Sequence, residues 1–179
     1  MMSEIDLTDI AIQWSIRLSF ALVFCRVLYA TNQHGKSGEI PNRIGSWLWC
    51  SGYLLFCLHV FLAFHYVHQW QHENAWQQTA IETEEFTGIR RGDGIWANYL
   101  MLVVWGLDCI RIEYARRKKQ VPSSRVNWIV SAFIGFMFLN GTLVFGPVIY
   151  RYLLFPALLL LFVAWQTNSQ KSDPPFMQQ

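Results

Sequence analysis

The sequence predicts an all-α membrane protein, a multipass helical bundle of about five transmembrane helices whose long second helix projects from the outer face. Three observations predict it. Of 179 residues, 53% are apolar and only 15% are charged, a balance unsuited to a water-facing surface. The apolar residues gather in five runs near the ~20-residue length of a spanning helix. Basic residues concentrate in one short connection, as they do beside the cytoplasmic ends of spans. Lys and Arg total 14 against 12 Asp and Glu, so a net charge of +2 leaves no electrostatic footprint for nucleic acid. An aromatic content of 16% excludes a disordered chain. The lipid bilayer is the partner implied.

The first run, Ile10 to Ala30, follows Glu4, Asp6 and Asp9, where a secretory leader would carry positive charge, and is read as a retained span. The second runs from Ile44 to Tyr66, the third from Ile95 to Ile112 and the fourth from Val126 to Phe145. Only Gly146, Pro147 and the Tyr150, Arg151, Tyr152 patch separate the fourth from a fifth, Val148 to Trp165. Pro147 suits the first turn of a new helix, so the pair reads as a tight hairpin. Residues 1–170 thus form one transmembrane domain, and 171–179 a flexible tail whose Pro and Gln residues build no core.

The connection from Arg111 to Arg125 sets Arg111, Arg116, Arg117, Lys118, Lys119 and Arg125 against Glu113 alone, which places it in the cytoplasm. Alternation then puts the N-terminus and the segment 69–93 outside and the C-terminus inside, in a membrane of the bacterial inner-membrane type. Trp14, Tyr66, Trp70, Trp96 and Tyr99 fall at the outer surface and Trp47, Trp49, Tyr114 and Trp128 at the inner one, as interfacial aromatics do. Cys25, Cys50, Cys57 and Cys109 sit inside apolar runs without a CxxC pair and read as packing residues.

From His59 to Thr83 the chain passes from apolar to polar without meeting Gly or Pro before Gly88, so one continuous helix is expected. On such a rod His65, His68, His72, Trp76, Thr79 and Thr83 share one face. The H-x2-H-x3-H spacing of His65, His68 and His72 stacks three imidazoles, ligands suited to a transition-metal ion. Haem ranks lower, because its two axial ligands come from facing positions and these histidines share one helix. The alternatives are that they are interfacial side chains meeting headgroups and neighbouring helices, or that they sense pH or relay protons.

Arg17 and Arg26 lie inside the first run, where a charge costs ~2.5 to 3.5 kcal/mol near the bilayer centre on insertion scales. Arg26 and Asp108 lie at matching depth and are expected to form an intramembrane ion pair. Arg17, His59, Asn98 and Asn140 share the outer half and could line a polar cavity. No nucleophile elbow, phosphate-cradling loop or zinc-protease motif is present.

Three functions fit. The first is a small integral inner-membrane protein, a non-enzymatic subunit or accessory of a membrane assembly or homo-oligomer, with a His-based metal site at its outer surface. The second is a membrane-bound redox or metal-dependent enzyme using His65, His68 and His72. The third is a small transporter with its charged residues in the pathway.

Overall fold

A computed structural model of the protein describes residues 7–31 and 40–144, then isolated positions as far as Gln166. Among the described residues the regular structure is entirely helical: α1 (Leu7–Thr31), α2 (Arg43–Leu62), a π-helical turn (Ala63–Val67), α3 (His72–Thr87), α4 (Gly94–Arg117) and α5 (Ser124–Val144). Four segments, Leu7–Ala30, Arg43–Val67, Gly94–Arg117 and Ser124–Val144, are long and apolar enough to cross a membrane, with mean hydropathies of 1.4 to 1.7. The expected fifth span near 148–165 lies outside the described residues apart from isolated helical positions, and the tail 171–179 lies outside them entirely.

The four long helices close into an antiparallel ring, and side-chain pairs fix each seam. Along α1 and α2, Ile12 meets His59, Ser19 meets Gly52 and Arg26 meets Trp49. Ser19 donates to the Gly52 carbonyl at 2.8 Å, and the two small residues let the backbones approach closely. Trp49, Gly52 and Phe56 of α2 bear on Trp105 and Asp108 of α4. Trp105 in turn packs edge-on against Phe138 of α5 at 5.8 Å, and Phe138 against Phe20 of α1 at 5.5 Å. The ring's centre is therefore aromatic: Trp105 is fully buried and Trp49 is 1% exposed, beside Phe56, Met101 and Ile134.

The outward faces are equally apolar. Leu54, Leu107, Ile110, Phe136 and Trp128 are each more than 60% exposed, a surface that water would penalise and hydrocarbon accepts. A multipass membrane bundle is the architecture this surface requires.

Local chemistry sets the helix ends. Asn42 caps α2, its side-chain oxygen accepting from the Gly45 N–H at 2.7 Å. Gly88 closes α3 in the left-handed conformation at φ 75°, where its N–H donates to the Glu84 carbonyl.

The second helix does not project as one rod. At Ala63–Val67 the helical turn widens, and the Trp70 N–H reaches back to the Phe64 carbonyl at 2.9 Å. Gln69 and Trp70 then take positive φ of 52° and 59°, and α3 starts anew at His72. The physical reason is burial. Folding back lets α3 lay Ala75, Thr79 and Ala80 against the bundle, where all three are buried. Gly92 allows the return, since a Cβ there would collide with Trp76. A straight extension would have left those side chains in water.

Candidate functional site

The break redistributes the three histidines. His65 accepts through Nδ1 from the Trp70 indole N–H at 3.3 Å and stacks on Phe61 with ring centroids 6.1 Å apart. His68 is half-buried and edge-on to Phe64 at 5.4 Å, and desolvation lowers its pKa. His72 shares a 2.9 Å hydrogen bond with the Tyr99 hydroxyl and lies beside Trp96. Each ring thus has its own aromatic neighbours instead of a common ligand position. Among the described residues no group of three or more His, Cys, Asp or Glu side chains is placed to hold a metal ion. The metal site inferred from a straight helix loses its geometric basis with the straight helix.

Of the residues expected to line a polar cavity, Arg17 bonds Gln13 at 2.9 Å and lies 5.4 Å from the Trp14 ring, both on its own helix. His59 donates from Nδ1 to the Ile12 carbonyl at 2.9 Å, an oxygen that also accepts from the Ser15 hydroxyl. His59 is thus a clamp between α1 and α2. Asn98 and Asn140 are half-buried on α4 and α5. An open depression of about 400 Å³ lies elsewhere, on the lower part of α4, lined by Cys109, Ile110, Glu113, Tyr114 and Arg117.

The most developed polar arrangement lies inside the bundle and joins all four spans. Asp108, 5% exposed, accepts from the Trp49 indole N–H at 2.9 Å through one carboxylate oxygen. Its other oxygen accepts from Arg111 through Nε at 2.9 Å and Nη2 at 2.5 Å. Arg111 continues to the Asn127 amide oxygen on α5 at 2.5 Å. Over the face of the same indole, the Arg26 guanidinium lies 4.1 Å from the Trp49 ring centroid. The chain of contacts therefore runs from α1 through α2 and α4 to α5.

This corrects the expected Arg26–Asp108 ion pair. Both touch the Trp49 indole, Arg26 at its face and Asp108 at its N–H edge, and the ion partner of Asp108 is Arg111, one turn along the same helix. Sequence reasoning counted Arg111 with the cytoplasmic loop and Trp49 with the interfacial aromatics. The Asp108-to-Arg111 spacing of three was the available signal. Beyond the network, Glu113 binds both Arg116 at 2.7 Å and Arg117 at 2.8 Å. Lys118 and Lys119 remain exposed at the end of α4.

Among the described residues one buried donor stands apart: the Trp105 indole N–H has no hydrogen-bond partner there, the cost of filling the bundle centre with a full-sized ring. No protein family, curated protein or solved structure matches the chain, so its function is argued from this geometry alone.

Proposed function

We propose that this small multipass membrane protein acts as a non-enzymatic subunit or accessory of a larger membrane assembly, oriented with the 118–123 connection in the cytoplasm and α3 on the opposite side. The single observation that carries the reading is the use of Asp108. A mid-span carboxylate is the natural ion or proton carrier of a transporter and the natural ligand or base of a membrane enzyme. Here its oxygens are taken by Trp49 and Arg111, and the bundle centre beside it is filled by Trp105, Phe56 and Phe138. Such groups hold helices together. At the other end, α3 covers the ends of α4 and α5 and turns Glu73, Glu84 and Glu85 outward, a polar surface suited to an extramembrane contact.

Purification from native membranes in mild detergent, followed by intact-complex mass spectrometry and metal analysis, tests this. The expected result is a fixed stoichiometry with another integral membrane polypeptide and no stoichiometric transition metal. A lone chain carrying a metal that disappears in a His68→Ala, His72→Ala double variant would instead establish the enzyme or metal-site reading. In reconstituted vesicles, ion flux that is lost on Asp108→Asn would establish the transporter.

A further inference from the structure

Within the spans, the network around Asp108 contains two cations, Arg26 and Arg111, and one carboxylate. Arg111 is matched: it forms two hydrogen bonds with Asp108 and one with Asn127. Arg26 is not. Its contact is with the face of Trp49, and among the described residues no oxygen accepts a hydrogen bond from its guanidinium. Stacking on an indole satisfies the flat face of a guanidinium and leaves the five N–H groups in its plane without acceptors. Those N–H atoms are not sealed in, for the Trp105 indole nitrogen is the only fully buried side-chain polar atom without a partner among the described residues. Arg26 is half-buried, so part of its side chain reaches the surface of the bundle.

The depth of that surface matters. Arg26 lies five positions before the end of the 25-residue α1, about 7 Å along the axis at 1.5 Å per residue. A helix of that length, about 37 Å, overhangs a ~30 Å hydrocarbon core by a few ångströms at each end. The guanidinium thus stands just inside the hydrocarbon boundary at the end shared by the α1 C-terminus and the α2 N-terminus. Instead of stretching outward to water, it is held inward against Trp49. A cation there is stabilised by an anion, and lipid phosphate oxygens lie close to that depth.

We propose that Arg26, backed by the Trp49 ring, is a binding site for a phosphodiester anion, with the headgroup of an acidic phospholipid as its occupant. Planar N–H groups match the paired oxygens of a phosphodiester. A monoanionic lipid also brings the net charge of the network from +1 to zero. The proposal is independent of the role of the protein in an assembly.

The test uses the full chain in nanodiscs of phosphatidylcholine with one quarter phosphatidylglycerol, released into the gas phase for counting of retained lipids. Wild type is expected to keep one phosphatidylglycerol, and Arg26→Gln to reduce its retention about tenfold, the effect of losing a charge-assisted hydrogen bond. Arg26→Lys, which keeps the charge and loses the planar fork, should fall between them. If Arg26→Gln fails to fold, retention of phosphatidylglycerol against diacylglycerol by wild type still decides. Equal retention of the lipid lacking phosphate overturns the proposal, as does undiminished retention by a folded Arg26→Gln. A parallel titration of the delipidated protein with inorganic phosphate separates the sources. Thermal stabilisation by phosphate that requires Arg26 supports the same chemistry with an aqueous ligand, whereas stabilisation by phosphatidylglycerol alone supports the lipid.

Discussion

A carboxylate buried in a membrane span is costly unless its oxygens are matched, and both oxygens of Asp108 are. Asp108→Asn removes the counter-charge of Arg111 and leaves two unneutralised cations in the network. Because Arg111 is 28% exposed, the cost is set below that of a fully buried pair, at about 2 to 3 kcal/mol. Unfolding of the detergent-solubilised protein by denaturant measures it, and a change under ~0.5 kcal/mol would mean that the network does not hold the bundle. Gly52 gives a second prediction at this scale. A Cβ there would stand 3.2 Å from Cζ2 of Trp105 and 3.5 Å from the Ser19 carbonyl oxygen. Neither neighbour can yield, one being a fully buried ring and the other backbone, so Gly52→Ala should cost about 1 to 3 kcal/mol in the same assay. Asp108 and Arg26 were legible in the sequence as charges that needed partners. Their shared neighbour Trp49 was not, because an indole that donates its N–H to a carboxylate and presents its face to a guanidinium has no sequence signature.

At the scale of elements, the segment between α2 and α3 carries the most strain. Gln69 is exposed and sits in the left-handed region, where a residue with a Cβ is disfavoured by ~1 to 2 kcal/mol. Gln69→Gly should therefore raise stability by about 0.5 to 1 kcal/mol, and Gln69→Val should lower it, both read from thermal melts. A continuous rod through this position would reverse the first sign. His68, in the same turn, supplies a pH dependence. Burial holds its imidazole below its ordinary pKa, so the unfolded chain binds the proton first. The contribution to stability is complete above about pH 6.5 and is lost as the pH falls from there toward the folded-state pKa. The melting temperature should fall between about pH 7.5 and 5.5, and His68→Gln should lessen the fall; parallel curves would refute this assignment. The stretch from His59 to Thr83 misled sequence reasoning for a definable reason. It holds neither Gly nor Pro, the residues that announce a break, and the break is instead driven by the burial of Ala75, Thr79 and Ala80 on a distant part of the chain.

For the whole molecule, the proposed orientation rests on charge. Lys118 and Lys119 follow α4 at one end, and Glu84 and Glu85 precede it at the other, so a single span separates them. Cys25, Cys50, Cys57 and Cys109 lie within the spans, so a membrane-impermeant thiol reagent should report only on introduced cysteines. Glu85→Cys is expected to react from outside intact cells, and Lys119→Cys only after the membrane is opened. The reverse pattern would invert the topology, and labelling of both from one side would dismantle the bundle.

The sequence by itself determined the solvent of this protein and the four spans seen among the described residues, because apolar run length is a local property that a bilayer reads directly. It also showed which side chains were costly where they stood. Only the tertiary structure decided how those costs are met: Trp49 shared by Arg26 and Asp108, Arg111 as the ion partner of Asp108, and a second helix that breaks so that α3 can cover the bundle end. Each outcome depends on helices far apart in the chain arriving at one depth, and that geometry exists only once the ring has closed.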